Sequence, residues 1–159
     1  MRLRVGIGYD VHKLQKDVPF WLGGIQIDSP HGAVGHSDAD VLIHAIIDSL
    51  LGASNLRDIG FQYPDTKPKY KGIDSKILLK DTLLKLREAG YKIENIDTII
   101  CLQSPKISQY IPLMQQTLSK ILEIELSDLT IKATTTERLG FVGKEEGVAA
   151  HSVCLISKL

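Results

Sequence analysis

The sequence is poor in the features that mark the more specialised classes of protein. It has 2 cysteines in 159 residues, too few for a disulfide framework. Basic and acidic residues number 19 each, and this zero net charge argues against a broad nucleic-acid surface. No apolar run approaches the roughly 18–20 residues of a membrane span, and there is no internal repeat, low-complexity tract or linker. We therefore expect residues 1–159 to form a single globular domain.

The location of the protein follows from two weaker signals. Cys101 and Cys154 lie far apart in apolar, strand-like stretches, and we interpret them as free buried thiols of a reducing compartment. Residues 1–10 alternate like a strand and lack the charged and apolar regions of a signal peptide. We expect a cytoplasmic protein. A plastid-type organelle form whose transit peptide has been removed is the alternative.

Hydrophobic periodicity and turn residues predict about three helices and several strands. The predicted strands are 3–12, a hairpin over 20–27, 96–102, 129–134 and 148–157, and the predicted helices are 38–51 with Ser37 as its cap, 75–89, and 109–122. The intervening stretches 28–35, 55–72 and 138–147 are predicted loops, and residues 61–71 of the second form a candidate lid.

This order predicts an α+β fold that resembles an α/β sandwich. One mixed β-sheet would be covered by about three helices on one face. The other face then needs a partner, and residues 96–100 and 148–156 are apolar on more than one side. We therefore expect an oligomer.

A set of metal-ligating residues follows from spacing. Asp10 and His12 are two apart on a strand and share a face, while Asp40, His44 and Asp48 are four apart on a helix. The strand pair plus His44 would give zinc three ligands and leave one position open, as in catalytic sites. Asp40 and Asp48 would then accept the imidazole N–H groups. The alternative is a turn and a water-facing helix with no metal.

Two further segments suggest anion binding. Residues 36–38 place an imidazole and a hydroxyl at a helix start, where free N–H groups attract anions, although a simple cap is the alternative. Residues 132–137 carry three threonines and a glutamate, which suit phosphates and a hard cation such as Mg²⁺, although a β-branched strand explains them too. Gly6 and Gly8 lack a third glycine and a following helix, which excludes a dinucleotide fingerprint.

Together these segments resemble the 2-C-methyl-D-erythritol 2,4-cyclodiphosphate synthase family of the non-mevalonate isoprenoid pathway. The matching stretches, in family order and spacing over almost the whole chain, are 6–12, 35–40, His44, 58–60, 63–66, 105–106 and 132–141. The resemblance implies a lyase that converts 4-diphosphocytidyl-2-C-methyl-D-erythritol 2-phosphate to the cyclic diphosphate and releases CMP. Two divalent metals would assist.

The resemblance also implies roles for individual residues. Zinc ligands would be Asp10, His12 and His44, and Glu137 would bind a second ion, Mg²⁺ or Mn²⁺. The substrate phosphate and methylerythritol would contact His36, Ser37, Asp58, Gly60 and Asp65. The cytidine and α-phosphate pocket would comprise Pro105, Lys106, Ala133, Thr134 and Thr135. His36 and Thr135 would position the transition state.

Members of this family are homotrimers whose sheets face the threefold axis, with each active site between two subunits. The resemblance places Phe141, Lys144 and Glu146 at an axial cavity where an isoprenoid diphosphate can bind. Lys144 stands where many members have arginine. Because lysine cannot grip a diphosphate bidentately, we expect weakened or absent binding here.

Two other functions compete with the synthase. One is a metal-dependent phosphohydrolase that uses the same zinc with water as nucleophile. The other is a non-catalytic trimeric binder of nucleotides or isoprenoid diphosphates. The products formed, and the effect of replacing His44, would separate all three.

Overall fold

The secondary structure is taken from a computed structural model that describes residues 2–159. The strands are β1 (Leu3–Lys16), β2 (Phe20–Leu22), β3 (Ile25–Ile27), β4 (His31–Val34), β5 (Tyr91–Cys101), β6 (Leu129–Thr134) and β7 (Gly147–Lys158). The helices are α1 (Val41–Ala53), α2 (Ile59–Gln62), α3 (Ser75–Glu88), α4 (Ile111–Leu122) and α5 (Gly140–Gly143). Short 3-10 helices cover Pro68–Tyr70, Ser108–Tyr110 and Leu126–Asp128. Three long helices and the mixed sheet confirm the predicted α+β class.

The main sheet has five strands in the order β4-β1-β7-β5-β6. Only β5 and β6 pair in parallel, and the other neighbours are antiparallel. Two predictions need correction. The hairpin β2–β3 forms a separate two-stranded sheet. The stretch 28–35, predicted to be a loop, contains β4, which pairs with residues 13–16 of β1. Its glycine and small residues give no strand pattern, so this pairing depends on tertiary contact.

Helix α1 lies directly on β1, and two glycines make this approach possible. A Cβ at Gly6 would lie 1.9 Å from the carbonyl oxygen of Ser49, and one at Gly8 would lie 1.9 Å from that of Ala45. Gly6 and Gly8 therefore serve backbone-to-backbone packing. Because Asp10 and His12 follow on the same face of β1, the approach brings them under the helix that carries His44.

The start of α1 differs from the prediction. Its N-cap is Asp40, whose side chain accepts a hydrogen bond from Ile43 N at 3.1 Å. The same carboxylate accepts from Gly23 N at 2.9 Å and Gly24 N at 2.7 Å. The β2–β3 turn thus selects Asp40 over Ser37 as the cap. The starts of α3 and α4 are set by local residues: Asp74 caps α3, and α4 has a proline in its first turn.

The face of the main sheet opposite α1 carries a row of exposed apolar side chains. These alternate residues of β1, here called the β1 row, are 43–73% exposed: Leu3, Val5, Ile7, Tyr9 and Val11. Val153, on the neighbouring strand, pairs with Ile7 and is also exposed. The predicted uncovered face is therefore real, although its main apolar residues lie on β1. Among residues 2–159, no helix is long and apolar enough to cross a bilayer.

Candidate metal centre and nucleotide pocket

The predicted metal ligands Asp10, His12 and His44 converge on one point. Asp10 and His12 lie on one face of β1, and His44 lies near the start of α1. Asp10 Oδ2 is 2.8 Å from His12 Nε2 and 3.0 Å from His44 Nδ1. The two nitrogens are 3.1 Å apart. Among the described residues, these three form the one group of this size whose ligand atoms meet.

This donor set fits a zinc ion. Two imidazole nitrogens and a carboxylate oxygen are common zinc ligands, with bonds of about 2.0–2.2 Å. In a tetrahedral site such bonds separate the ligand atoms by about 3.3 Å. The distances of 2.8–3.1 Å would need to open by only a few tenths of an ångström. The three residues therefore fit the metal that the spacing predicts.

The electrostatics of the group favour an ionised carboxylate. Burial raises the pKa of Asp10, but hydrogen bonds and charge interactions with His12 and His44 outweigh it and lower this pKa to about 2. Burial lowers the pKa of His12, whereas its hydrogen bond to Asp10 raises it, and the net direction is upward. Without a metal, the hydrogen bond between His12 and Asp10 therefore helps to hold the group together.

The outer nitrogens of both imidazoles have partners in the protein. His12 Nδ1 lies 3.2 Å from the backbone oxygen of Val34. His44 Nε2 lies 2.8 Å from Ser75 Oγ and 3.2 Å from Ser37 Oγ. These contacts leave Nε2 of His12 and Nδ1 of His44 as the nitrogens that face the metal position.

The acceptors predicted for these imidazoles were wrong. Asp40 is fully buried and is used by the N–H groups of the β2–β3 turn and of α1. Asp48 accepts instead from the backbone N–H of Ile59 at 2.8 Å and so holds the start of α2. Both carboxylates share a helix face with His44, but each accepts hydrogen bonds from backbone N–H groups instead of from an imidazole. The side chain at His44 Nε2 is instead Ser75, which the sequence reasoning missed.

A pocket of about 250 Å³ opens beside the metal group. It is lined by His12, His36, Ser37, His44, Ile59, Gly60, Tyr63, Asp65, Tyr70, Ile73 and Leu78. Four of the five residues expected to contact phosphate and methylerythritol therefore lie together. The fifth, Asp58, is not in this lining. Its side chain caps α2 by accepting from Phe61 N at 2.9 Å.

Two aromatic residues of this pocket were not foreseen. Tyr63 and Tyr70 pack edge to face with ring centroids 5.7 Å apart. The Tyr63 hydroxyl donates to Asp81 at 2.8 Å and lies 2.9 Å from the Thr82 hydroxyl. The stretch predicted to be a loop is thus fixed to α3 on one side of the pocket. Two tyrosines in an otherwise irregular stretch were the available signal.

A second pocket, of about 200 Å³, lies where the parallel strands β5 and β6 end. It is lined by Leu102, Gln103, Pro105, Lys106, Ile107, Ser108, Ala133, Thr134 and Thr135. All five residues expected around cytidine and the α-phosphate are in this lining. The carboxyl ends of neighbouring parallel strands are a common place for ligands. Gln103 and Ser108 are additional lining residues.

The remaining predicted site residues lie outside both pockets. Glu137 is exposed, and its carboxylate accepts from Thr135 Oγ1 at 3.3 Å. Phe141 belongs to α5 and contacts the start of β7, where a Cβ at Gly147 would lie 2.9 Å from its ring. Lys144 and Glu146 are exposed and follow α5 directly.

Comparisons with known proteins agree with this geometry. The YgbB family matches residues 3–157. A 2-C-methyl-D-erythritol 2,4-cyclodiphosphate synthase of Parabacteroides distasonis is 55% identical over 159 residues, which cover 100% of this chain and 99% of that protein. The bifunctional IspDF from Campylobacter jejuni superposes with a TM-score of 0.95 at 40% identity. The match covers 99% of this chain and 43% of that longer protein.

A structure named as the CDP complex of IspF from Plasmodium falciparum is also similar. It has a TM-score of 0.87 at 31% identity, and the match covers 98% of this chain and 96% of that one. Fold, site geometry and sequence identity lead to one assignment. The chain belongs to the YgbB family, whose curated relatives at about half identity are 2-C-methyl-D-erythritol 2,4-cyclodiphosphate synthases.

Proposed function

We propose that residues 1–159 form a single domain whose Asp10, His12 and His44 group and two pockets supply the parts of the active site for the reaction of this family. The chain is an enzyme that forms 2-C-methyl-D-erythritol 2,4-cyclodiphosphate in isoprenoid biosynthesis. It converts 4-diphosphocytidyl-2-C-methyl-D-erythritol 2-phosphate and releases CMP. The observation that carries the proposal is the meeting of three ligand atoms at the wall of a pocket.

Two ions belong to this proposal. Asp10, His12 and His44 hold one zinc ion per subunit, and Glu137 holds Mg²⁺ or Mn²⁺ together with the substrate. When bound, these ions supply positive charge that polarises phosphate oxygens and offsets repulsion between anions. The donor types support the assignment, because imidazole suits zinc and an exposed carboxylate suits a hard cation.

In this reaction the protein mainly positions the two reacting ends of the substrate. An oxygen of the substrate's 2-phosphate attacks the β-phosphorus, and a new P–O bond closes an eight-membered ring. The bond from the β-phosphorus to the bridging oxygen breaks, and its electron pair leaves with CMP. The attacking oxygen is already anionic, so no general base is needed. Holding both ends of one molecule in reach can supply much of the rate.

The pocket beside the metal group binds the methylerythritol and its 2-phosphate. His36, Ser37, Gly60 and Asp65 are the polar contacts that support this, since they line the pocket. Asp58 belongs to the same proposal through its place at the start of α2. The segment 61–71 excludes water as a lid, which is supported by its two tyrosines, since both line the pocket and pack against each other.

The pocket at the ends of β5 and β6 binds cytidine and the α-phosphate. Lys106 supplies positive charge, and the hydroxyls of Thr134 and Thr135 supply hydrogen bonds to phosphate oxygens. With His36, Thr135 positions the transition state. The CDP named with the Plasmodium relative supports a cytidine nucleotide as ligand.

The assembly we propose is a homotrimer with an active site between each pair of subunits. The β1 row supports it, because such an exposed apolar sheet face is typical of an interface. Phe141, Lys144 and Glu146 would line a cavity on the axis, where Lys144 weakens isoprenoid diphosphate binding. Titration with geranyl diphosphate tests this, and micromolar or tighter affinity would refute it. A cytoplasmic location completes the proposal and is supported by two free cysteines.

A product assay in H₂¹⁸O tests the function. We expect the cyclic diphosphate and CMP, neither labelled with ¹⁸O. Linear phosphates that carry ¹⁸O would mean a phosphohydrolase, and binding without turnover would mean a binder. His44→Ala should abolish turnover. His31→Ala is the matched control, because His31 lies on β4 outside both pockets and should leave turnover unchanged.

A further inference from the structure

The unexplained feature of the metal centre is the environment of the outer nitrogen of His44. Ser75, the first residue of α3, is fully buried and lies 2.8 Å from His44 Nε2. The Ser75 hydroxyl also donates to Asp38 Oδ1, and Ser75 N donates to Asp38 Oδ2 at 2.8 Å. A third donor, Asp40 N, lies 3.2 Å from Asp38 Oδ1. Asp38 thus accepts three hydrogen bonds, two of them from Ser75.

We propose that Asp38 and Ser75 are positioning residues that fix the tautomer of His44. An ionised carboxylate can only accept, so the single proton of the Ser75 hydroxyl points to Asp38. The Ser75 oxygen must then accept from His44 Nε2–H. This places the imidazole proton on Nε2 and leaves the lone pair on Nδ1, the atom that faces Asp10 and His12.

The tautomer of His44 has to be fixed because Asp10 favours the opposite tautomer, with the proton on Nδ1. Asp10 Oδ2 lies 3.0 Å from His44 Nδ1 and, in the metal-free protein, can accept a hydrogen bond from Nδ1–H. A hydroxyl alone does not decide between the tautomers, since it can donate or accept. Ser37 Oγ, at 3.2 Å from Nε2, is such a hydroxyl. Only Ser75 is tied to a carboxylate, and this tie makes it the residue that decides.

This inference rests on the proposed zinc site. It explains why His44 already has the tautomer that can bind a metal. With the proton held on Nε2, metal binding at Nδ1 requires no tautomer change. Such outer contacts to a ligating histidine typically change metal affinity by about 10–100-fold. The effect should reach zinc through His44, since Ser75 contacts Nε2 of that imidazole and not Nδ1, the nitrogen that faces the metal position.

The test compares Ser75→Ala with the wild-type chain, both metal-free. Long-range ¹H–¹⁵N spectra at pH 8.5 report which imidazole nitrogen carries the proton, and the His44 signals are assigned by their loss in His44→Ala. We expect Nε2–H in the wild type and a shift toward Nδ1–H in Ser75→Ala, where Asp10 is left as the competing acceptor. Zinc Kd, measured by competition with a chelator, should rise about 10–100-fold.

Ser49→Ala is the matched control. Ser49 is also fully buried, lies on the same helix as His44 and is bonded to Ser152 at 2.9 Å, away from the metal group. It should leave tautomer and zinc affinity unchanged. If Ser75→Ala does not fold, Ser75→Cys keeps the side-chain size and offers only a weak acceptor, and the same tautomer shift is expected.

Retention of Nε2–H in the Ser75 variant, with zinc affinity equal to that of Ser49→Ala, would overturn the proposal and leave Ser75 a purely structural contact. A wild-type chain with Nδ1–H would overturn it as well. The tautomer is measured without metal. A chain that shows the expected tautomers but binds no zinc would therefore refute the proposed metal site and not this inference.

Discussion

Gly8→Ala is the substitution that most directly tests how α1 is placed over β1. The new Cβ would lie 1.9 Å from the carbonyl oxygen of Ala45 and 2.8 Å from the backbone N of Ser49. An ordinary contact between these atom types is about 3.4 Å or more. Since both neighbours are backbone atoms of one helix, no side chain can rotate away. The helix must move by about 1.5 Å or the strand must bend.

This displacement has two measurable costs. Overpacking typically destabilises a protein by about 1–3 kcal/mol. Because this clash is with backbone, we expect the free energy of unfolding to fall by about 3 kcal/mol. His44 precedes Ala45 and moves with it. Metal sites tolerate changes of only about 0.2 Å in ligand distances, so zinc Kd should rise at least about tenfold.

The assay pairs urea unfolding of the metal-free protein with zinc titration, at one protein concentration for every variant. Gly52→Ala is the matched control, since Gly52 lies in the same helix and a Cβ there meets nothing within 4 Å. It should raise the free energy of unfolding by about 0.5–1 kcal/mol and leave zinc affinity unchanged. A Gly8→Ala chain that matches the wild type in both measurements would refute the reasoning.

Three further predictions concern other parts of the molecule. Asp40→Ala leaves three backbone N–H groups without their acceptor and should lower the free energy of unfolding by about 3 kcal/mol, measured in urea. The pKa of Asp10 in the metal-free folded chain is about 2, below its ordinary 3.8. Its ionised carboxylate should therefore add about 2 kcal/mol to the free energy of unfolding above pH 4. This contribution is lost as the pH falls toward 2. Ile7→Lys, in the β1 row, should dissociate the proposed trimer in analytical ultracentrifugation.

Each of these has a result that would count against it. A loss below about 1 kcal/mol for Asp40→Ala would mean that water replaces the carboxylate. Asp10→Asn should flatten the acid dependence of the urea midpoint, and an unchanged slope would assign that dependence to other groups. Leu84→Lys, on the outer face of α3, should leave the assembly intact. A trimer that survives Ile7→Lys would exclude the β1 row as the interface.

The group formed by Asp10, His12 and His44 could be predicted because its geometry is periodic. A strand places Asp10 and His12 on one face whatever else the chain does, and the motifs of the family resemblance add His44. The cap of α3 was equally predictable, because Asp74 and its acceptor role lie within one turn. Local rules suffice where donor and acceptor are neighbours in sequence.

The features that were not predicted depend on partners that are distant in sequence. Asp40 becomes the cap of α1 because the β2–β3 turn, 16–17 residues earlier, supplies two more donors. Ser75 contacts His44 across 31 residues, and no spacing rule singles out one buried serine among several. β4 exists because β1 offers it an edge. In each case a long-range partner decides the role, and the sequence names the partner only after the fold is known.

The pairing of β1 with β7 has a consequence for how the protein is made. These strands lie side by side from Leu3↔Ser157 to Lys13↔Gly147, although more than 130 residues separate them in sequence. A ribosome therefore exposes β1 long before its central neighbour emerges, and closing so long a loop is slow. Until β7 is made, Asp10 and His12 lie on an incompletely paired strand. Metal capture should thus depend on β7 as well as on the three ligands, although β7 supplies none of them.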